Sequence, residues 1–271
     1  MSEATAEPAI SVRNVSVRYG DRQILKGINL EIARGETMVL IGGSGSGKST
    51  LLRQIIGLEQ PCAGRVLVNG IDLSSSTQSD IESVRRSIGV AFQSAALFNS
   101  MSVEENVALP LREHTRLAES TISLMTRMKL AVVGLQDFGK QSPRELSGGM
   151  KKRAAVARAL SMDPEILVLD EPSAGLDPIV GAELDKLILA LKGFFTMTIL
   201  VVTHEMASAF QIADRMAMLY QGTLVAVGRP DELRNSDHPR IRQFFDRVPD
   251  QIFDPHSIDA YLDRYLKGDS Q

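Results

Sequence analysis

The sequence of 271 residues is long enough for one large α/β domain, or for a domain with an inserted subdomain and a tail. Its 30 Lys and Arg residues against 33 Asp and Glu residues give a net charge of −3, which provides no positive field for nucleic acid or an anionic membrane surface. The single cysteine, Cys62, excludes an internal disulfide framework and a cysteine-based metal cluster, so we expect a reducing compartment such as the cytoplasm.

The first part of the chain is predicted to form strands. Alternating apolar residues between positions 10 and 32 indicate two strands that are separated by a turn after Tyr19. The Tyr19 ring either stacks on an adenine base or covers the edge of the core, and the local sequence favours neither interpretation. Residues 64–68 then lead into Asn69-Gly70, which is a favoured hairpin turn. We therefore expect an antiparallel β subdomain beside the next motif.

A glycine-rich stretch lies between an apolar strand at residues 37–41 and a helix at residues 51–56. Its pattern, G-x-x-x-x-G-K-[ST], is typical of a loop whose backbone N–H groups converge on phosphate oxygens through dihedral angles that a Cβ would hinder. Lys48 would reach the β- and γ-phosphates, and the Ser49 hydroxyl would bind Mg²⁺. The predicted binding residues are Gly42, Gly43, Ser44, Gly45, Ser46, Gly47, Lys48, Ser49 and Thr50. This stretch predicts a nucleoside triphosphate site.

A mostly helical insertion is expected at about residues 94–162, after a short strand that ends at Gln93. Ser102 and Glu105 have the spacing of a capping box, and Pro110 is expected to end or kink the helix that they start. Further apolar residues recur at helical spacing and predict a mostly helical segment over about residues 103–133, in which the methionines are expected to fill the core: Leu124, Met128, Ala131 and Leu135.

Glycines also precede a second helix, which is basic. Ser147 is a candidate N-cap, and Gly148 and Gly149 would expose the first backbone N–H groups of a helix at residues 151–160. This arrangement predicts a second anion site. The alternative is an ordinary capped helix whose basic residues form a solvated face.

Polar residues follow two apolar strands. Residues 166–169 end at Asp170 and Glu171, where Asp170 would hold Mg²⁺ through water and Glu171 would orient or deprotonate the attacking water. Asp177 is expected to cap the next helix, and His204 follows the strand at residues 198–203, from which it could hydrogen-bond the γ-phosphate. A solvated acidic turn and a structural histidine are the alternatives.

Residues 216–220 and 223–227 predict a last hairpin, and the catalytic core is expected to close near Leu233. The tail at residues 234–271 has two apolar helix faces, which either pack on the core or contact a neighbour. The first face comprises Ile241, Phe244, Phe245 and Val248. The second, capped by Ser257, comprises Ile258, Tyr261, Leu262, Tyr265 and Leu266.

Taken together, these motifs resemble the ATP-binding subunit of ABC transporters over about residues 10–233. The Leu146-Ser147-Gly148-Gly149-Met150 signature between a helical insertion and an acidic strand is the most specific of them. The resemblance implies a P-loop NTPase of ABC type, with a mostly parallel core sheet and flanking helices, an antiparallel β subdomain and an inserted helical subdomain. It also implies a flexible N-terminus at residues 1–9 and a contact-forming extension at residues 234–271.

The same resemblance implies a role for each candidate site residue. Lys48, Gln93, Glu171 and His204 would be catalytic, with Glu171 as the base and His204 as the γ-phosphate sensor. Tyr19 would stack on adenine, and Ser49, Gln93 and Asp170 would hold Mg²⁺. The other residues would bind or approach ATP held by a second copy in a head-to-tail dimer: Ser147, Gly148, Gly149 and Asp177.

A narrower resemblance is to the ATPases of Mla-type, MCE-associated phospholipid transporters, and it is carried by residues 92–98 and 106–115, Met150 and the start of the tail at residues 238–245. It implies an integral permease, a small STAS-domain subunit bound through the tail and, indirectly, an MCE-type lipid-binding subunit, at the cytoplasmic side of an inner membrane. The alternatives are the ATPase of an amino-acid or metal importer and a non-transport ABC ATPase.

That location depends on partners, because the acidic N-terminus lacks a signal pattern and no run of about eighteen apolar residues occurs in the sequence.

Overall fold

The computed structural model describes residues 7–248, so the tail helix predicted after Ser257 lies outside the described residues. The strands are β1 (Ile10–Tyr19), β2 (Arg22–Ile32), β3 (Thr37–Ile41), β4 (Ala63–Val68), β5 (Ile71–Asp72), β6 (Ile88–Ala91), β7 (Ile166–Asp170), β8 (Thr198–Val202), β9 (Arg215–Tyr220) and β10 (Thr223–Gly228). The α-helices are α1 (Lys48–Ile55), α2 (Gln78–Ser87), α3 (Val103–His114), α4 (Glu119–Val132), α5 (Gly148–Ala159), α6 (Pro178–Phe194), α7 (Met206–Ile212), α8 (Pro230–Arg234) and α9 (Pro239–Phe245).

The core is a six-stranded sheet in the order β10-β9-β3-β8-β7-β6. Its strands are parallel except for the antiparallel β9–β10 hairpin. All five residues of β3 and of β8 are buried, as expected for parallel strands that are covered on both faces. The carboxyl ends of β3, β6, β7 and β8 therefore meet at one edge of the sheet, and we call this edge the catalytic edge.

The predicted antiparallel subdomain is a four-stranded sheet in the order β2-β1-β4-β5. Val68 pairs with Ile71 across the predicted turn, where Asn69 and Gly70 have φ angles of 51° and 80°. These positive angles are those of a type I′ hairpin, which explains the Asn-Gly sequence.

Helix α3 excludes one of the two outcomes expected at Pro110, namely that the helix ends there. The Ser102 capping box is present, but Pro110 does not end the helix, which continues to His114. Val107 and Leu111 are fully buried on either side of the proline. This packing keeps the chain helical although proline removes one backbone hydrogen bond.

Helix α4 forms where the apolar spacing predicted a helix, but the expectation that its methionines fill the core is wrong for Met128. Leu124 and Met128 are 52% and 59% exposed, whereas Ile122 and Leu130 face the core. The helix carries apolar residues on two faces, and their spacing alone does not indicate which face packs inward.

Helix α2 was not predicted, although Thr77 and Asp80 form a capping box that marks its start.

The described part of the tail packs on the core. Ile241 of α9 is 2% exposed, and the Phe245 ring lies 5.5 Å from the Phe210 ring in an edge-to-face arrangement. Of the two interpretations of this first tail face, packing on the core agrees with the structure. Val248, at the end of the described residues, is exposed.

Candidate active site

The phosphate-binding loop connects β3 to α1 and is shaped by two glycines. Gly42 has a φ of 148°, and a Cβ at this position would lie 2.2 Å from the Leu219 carbonyl oxygen. Gly47 has a φ of 107° and is the N-cap of α1. The Ser46 carbonyl accepts a hydrogen bond of 3.0 Å from the Gly222 amide in the β9–β10 turn. The loop is therefore held tightly against the last hairpin of the core sheet.

The start of α1 has the properties of an anion site. No side chain caps the helix, and its first turn contains no acidic residue, so its backbone N–H groups remain available for a ligand. The buried Lys48 ammonium donates to the carbonyl oxygens of Gly42, at 2.7 Å, and Gly43, at 3.1 Å. The buried Ser46 hydroxyl has no hydrogen-bond partner among the described residues.

The surroundings of Lys48 combine burial with negative charge. Burial lowers the pKa of Lys48, while Glu171 and Asp170 oppose this effect by favouring the ammonium form. On the outer side of the loop, a Cβ on Gly43 or Gly45 would meet no atom within 4 Å, so space remains above the backbone. Ser44 and Ser49 are exposed, and Thr50 is partly exposed. These residues fit a triphosphate.

Asp170 and Glu171 lie at the catalytic edge, as predicted. Burial raises the pKa of Asp170, the neighbouring Glu171 raises it further, and Lys48 lowers it. The Glu171 backbone has a φ of 48°, an unusual conformation for a non-glycine residue, and its amide donates to the Val202 carbonyl at 2.8 Å.

The structure brings Glu171 and His204 together. The His204 Nδ1 atom lies 2.9 Å from both carboxylate oxygens of Glu171. The Glu171 side chain is only 12% exposed, whereas the His204 side chain is 59% exposed. A carboxylate that is fixed by an imidazole at this edge can orient a water molecule and accept its proton.

The candidate Mg²⁺ ligands are all oxygen donors, namely the Ser49 hydroxyl, the Gln93 amide and the Asp170 carboxylate. This set fits Mg²⁺, which prefers oxygen ligands and completes its coordination with phosphates and water. The described residues contain no cluster of three or more His, Cys, Asp or Glu side chains that could hold a metal ion by themselves.

Tyr19 ends β1 with 45% of its surface exposed, so it does not cover the core edge. Its hydroxyl donates to the Glu59 carboxylate, and this hydrogen bond raises the pKa of Tyr19. Glu59 is a contact that the sequence did not reveal, because it lies forty residues away along the chain.

The signature residues lie at the start of α5 on an exposed part of the surface. The Ser147 hydroxyl accepts a hydrogen bond of 3.3 Å from the Met150 amide, as expected for an N-cap. A Cβ on Gly149 would lie 2.4 Å from Val180 Cγ1, so the signature packs closely on the first turn of α6. Asp177 caps α6 by accepting from the amides of Ile179 and Val180, at 3.0 Å each.

Sequence reasoning also missed Lys152 of α5. Its ammonium donates to the carbonyl oxygens of Gln93, at 2.6 Å, and Glu171, at 2.8 Å. The basic run at residues 151–153 was visible in the sequence, but nothing in that run distinguishes the lysine that reaches the catalytic edge from its neighbours.

Comparisons with known proteins agree with this geometry. Residues 25–174 match the ABC transporter family. Over 248 residues the chain is 40% identical to the intermembrane phospholipid transport system ATP-binding protein MlaF of Escherichia coli K12, and the match covers 92% of each chain. It is also 43% identical over 236 residues to the probable ribonucleotide transport ATP-binding protein mkl of Mycobacterium leprae, covering 87% of this chain and 68% of the relative.

Two solved structures share the fold. The ATP-binding cassette MJ0796, in a dimeric post-hydrolysis state with ADP and Pi, superposes with a TM-score of 0.75 at 31% identity, covering 82% of this chain and 98% of that one. CbiO1 of Clostridium perfringens, part of the ABC transporter complex cbiONQ, superposes with a TM-score of 0.78 at 32% identity, covering 89% of this chain and 99% of that one.

Within residues 7–248, no helix combines the length and the apolar character needed to cross a membrane.

Proposed function

Because this chain belongs to the ABC transporter ATPases, which bind and hydrolyse ATP, we propose that it drives phospholipid movement between the inner and outer membranes of a Gram-negative envelope. The observation that carries this proposal is the 40% identity with MlaF over 92% of both chains. The mycobacterial relative named for ribonucleotide transport is matched over only 68% of its length, which makes it a weaker guide to function.

In this proposal two copies sandwich ATP in a head-to-tail dimer. One copy holds the phosphates with Lys48 and the phosphate-binding loop, while the exposed signature of the other copy contacts the γ-phosphate with Ser147, Gly148 and Gly149. Asp177 approaches the site of the partner. The dimeric cassette MJ0796 supports the assembly, and the exposure of Ser147 and Gly148 leaves them accessible to a second chain.

Hydrolysis is then assigned to the catalytic edge. Glu171 accepts a proton from the attacking water, His204 orients Glu171 and contacts the γ-phosphate, and Gln93 contacts the water. Ser49, Gln93 and Asp170 would hold Mg²⁺, which supplies charge neutralisation at the phosphates when bound. Tyr19 would stack on the adenine ring.

A groove between the core sheet and the helical insertion is the proposed permease site. Its cavity of about 560 Å³ lies between α2 and β6 on one side and α3 and α5 on the other. Arg85, Arg86, His114 and Arg158 line it, against Glu82 as the only acidic lining residue among those described. We assign this groove to an intracellular permease segment that carries acidic or amide side chains, because such groups complement the arginines.

A second surface is proposed for the small STAS-domain subunit. Leu124, Met128 and Val132 form an exposed apolar row on α4, and the 85% exposed Phe194 borders the same 340 Å³ cavity as Val132. Exposed apolar surface of this kind is typical of a protein interface. The tail, residues 234–271, would add contacts to the partner ATPase and this subunit, and the MCE-type protein would be reached through the permease. The ATPase would then lie at the cytoplasmic side of the inner membrane.

The proposal is tested by purifying the tagged protein from its native membranes and identifying the subunits and lipids that accompany it. Recovery of a permease, an MCE-type protein and phospholipid is expected. Recovery of a solute-binding protein with an amino acid or a metal, or ATPase stimulation by ribonucleotides without lipid, would contradict the lipid assignment.

The two proposed surfaces serve as controls for each other. Arg86→Glu should remove the permease and keep the STAS subunit, whereas the double substitution Met128→Glu with Phe194→Glu should do the opposite. Loss of both partners in either variant, or of neither, would contradict the assignment of these surfaces.

A further inference from the structure

Lys152 connects three segments of the catalytic machinery. It is the fifth residue of α5, the helix that begins at the signature, and its ammonium binds the carbonyl of Gln93 after β6 and the carbonyl of Glu171 after β7. These three segments are distant in the sequence, since Lys152 lies 59 residues from Gln93 and 19 residues from Glu171. One side chain thus links the signature helix to both residues that are assigned to the attacking water.

The backbone that Lys152 binds is held in an unfavourable conformation. Glu171 has a φ of 48°, and Ala95 and Ala96, shortly after Gln93, have φ angles of 60° and 49°. Non-glycine residues adopt this region at a cost and keep it only where surrounding contacts impose it. At Glu171, the carbonyl accepts from Lys152 and from the Ala174 amide, at 3.3 Å, and the amide donates to the Val202 carbonyl.

Helix α5 holds the segment after Gln93 at a second point. The Arg158 guanidinium donates to the carbonyls of Ala96, at 2.7 Å, and Ala95, at 3.1 Å. The two cations hold different segments. In the bonds described, Arg158 contacts only the segment after Gln93, whereas Lys152 also contacts the Glu171 carbonyl. Lys152 is therefore the contact through which a shift of α5 would move the catalytic glutamate.

The Lys152 ammonium is partly buried beside three carboxylates. Burial lowers the pKa of Lys152, and the charges of Glu171, Asp170 and Glu205 oppose this effect. Hydrogen bonds from a charged donor are stronger and more geometrically restrictive than neutral ones, so this contact is suited to fixing a backbone position.

We propose that Lys152 is a positioning residue that couples the orientation of the signature helix to the placement of Glu171 and Gln93 for hydrolysis. The two hydrogen bonds of Lys152 transmit a displacement of α5 to the carbonyls of Gln93 and Glu171. The catalytic edge therefore responds to contacts that are made at the signature, at the start of the same helix. This inference concerns ATP hydrolysis alone and does not depend on the transported substrate.

The test compares Lys152→Met, Lys152→Arg and the control Lys151→Met, which removes the same charge one residue earlier. Lys152→Met should lower kcat about 10- to 100-fold, as expected for losing a charged donor that orients a catalytic group. The KM for ATP should stay within about twofold, because Lys152 contacts no residue of the phosphate-binding loop in the bonds described. Lys152→Arg should restore most of kcat, and Lys151→Met should resemble the parent.

A second measurement separates positioning from general structural damage. In a Glu171→Gln background, adding Lys152→Met should lower the single-turnover rate by clearly less than the 10- to 100-fold expected in the parent, since one of the two groups that Lys152 positions is already inactive. Full additivity of the two substitutions would overturn the proposal, as would parental kcat in Lys152→Met. Should Lys152→Met fail to fold, Lys152→Ala, which also removes the donor, takes its place under the same criteria.

Discussion

Helix α1 begins after Gly47 and helix α5 begins with Gly148 and Gly149, but their first turns are built differently. Helix α1 starts in the interior, has no side-chain cap, and lies beside the buried Lys48. Helix α5 starts at the surface and is capped by Ser147, and its lysine and arginine point back to the catalytic edge of its own chain. The start of α1 therefore lies beside its own buried lysine, whereas the start of α5 leaves Gly148 exposed, and Lys152 and Arg158 of α5 bind backbone carbonyls of the same chain.

The different starts of α1 and α5 indicate that nucleotide binding, dimer closure and hydrolysis depend on different parts of the chain. Nucleotide affinity is assigned to α1, closure over the nucleotide to the exposed start of α5, and hydrolysis to the edge that lies between them. The same separation explains why an isolated phosphate-binding loop says little about function, since many unrelated proteins use one. Substitutions that affect one task and spare the others test the comparison.

The largest expected effect is that of Glu171→Gln on hydrolysis. Glutamine keeps the size of the side chain and an oxygen that can accept from His204 but cannot take a proton, so kcat should fall about 10²- to 10⁴-fold. ATP binding, measured by equilibrium titration, should remain within about threefold. If this variant turns over like the parent, Glu171 is not the base.

Lys48→Met should act mainly on binding. The substitution removes the charged donor of the phosphate-binding loop, and loss of a charge-assisted hydrogen bond corresponds to roughly a 10- to 100-fold weaker affinity for ATP. Lys186→Met, at an exposed position of α6, is the control and should leave the affinity unchanged. Equal affinities in the two variants would contradict the role of Lys48.

Ser147→Asp sharpens the distinction between the two helix starts. Aspartate is as good an N-cap as serine, so the melting temperature should stay close to that of the parent. Its negative charge would repel the γ-phosphate held by a second copy, and ATP-dependent dimerisation in the Glu171→Gln background should weaken about tenfold. ATP binding by the monomer should not change, and a dimer that forms normally would argue against contact between the signature and phosphate.

The smallest effect is expected from Asp185→Asn on the core between α6 and α7. Burial raises the pKa of Asp185, which accepts a hydrogen bond from Ser208. Because the folded pKa lies above the unfolded pKa, the native state binds the proton more tightly, and the parent loses stability as the pH rises through the unfolded and then the folded pKa. Asparagine keeps the hydrogen bond and removes this loss.

The variant should therefore gain stability relative to the parent as the pH rises from about 4 to 8. Denaturant unfolding at the two pH values measures the difference. If the free energies of unfolding of the variant and the parent differ by the same amount at both pH values, the assigned cause of the raised pKa is wrong.

Local rules were enough for much of this molecule. The glycines of the phosphate-binding loop, the capping residues Ser102, Ser147 and Asp177 and the type I′ turn at Asn69-Gly70 were all predicted, because each depends on backbone angles and hydrogen bonds within a few residues. The apolar strands of the core sheet were predicted because burial on both faces leaves an uninterrupted hydrophobic run.

Tertiary structure decided where these elements touch. The sequence did not reveal which face of α4 is buried, whether Pro110 ends its helix or lies inside it, or that Lys152 reaches Gln93 and Glu171. Likewise, both Glu171 and His204 were selected from the sequence, but only the pairing of β7 with β8 through parallel register brings one beside the other. Contacts between segments that are tens of residues apart depend on how sheets and helices pack, and packing is a property of the whole chain.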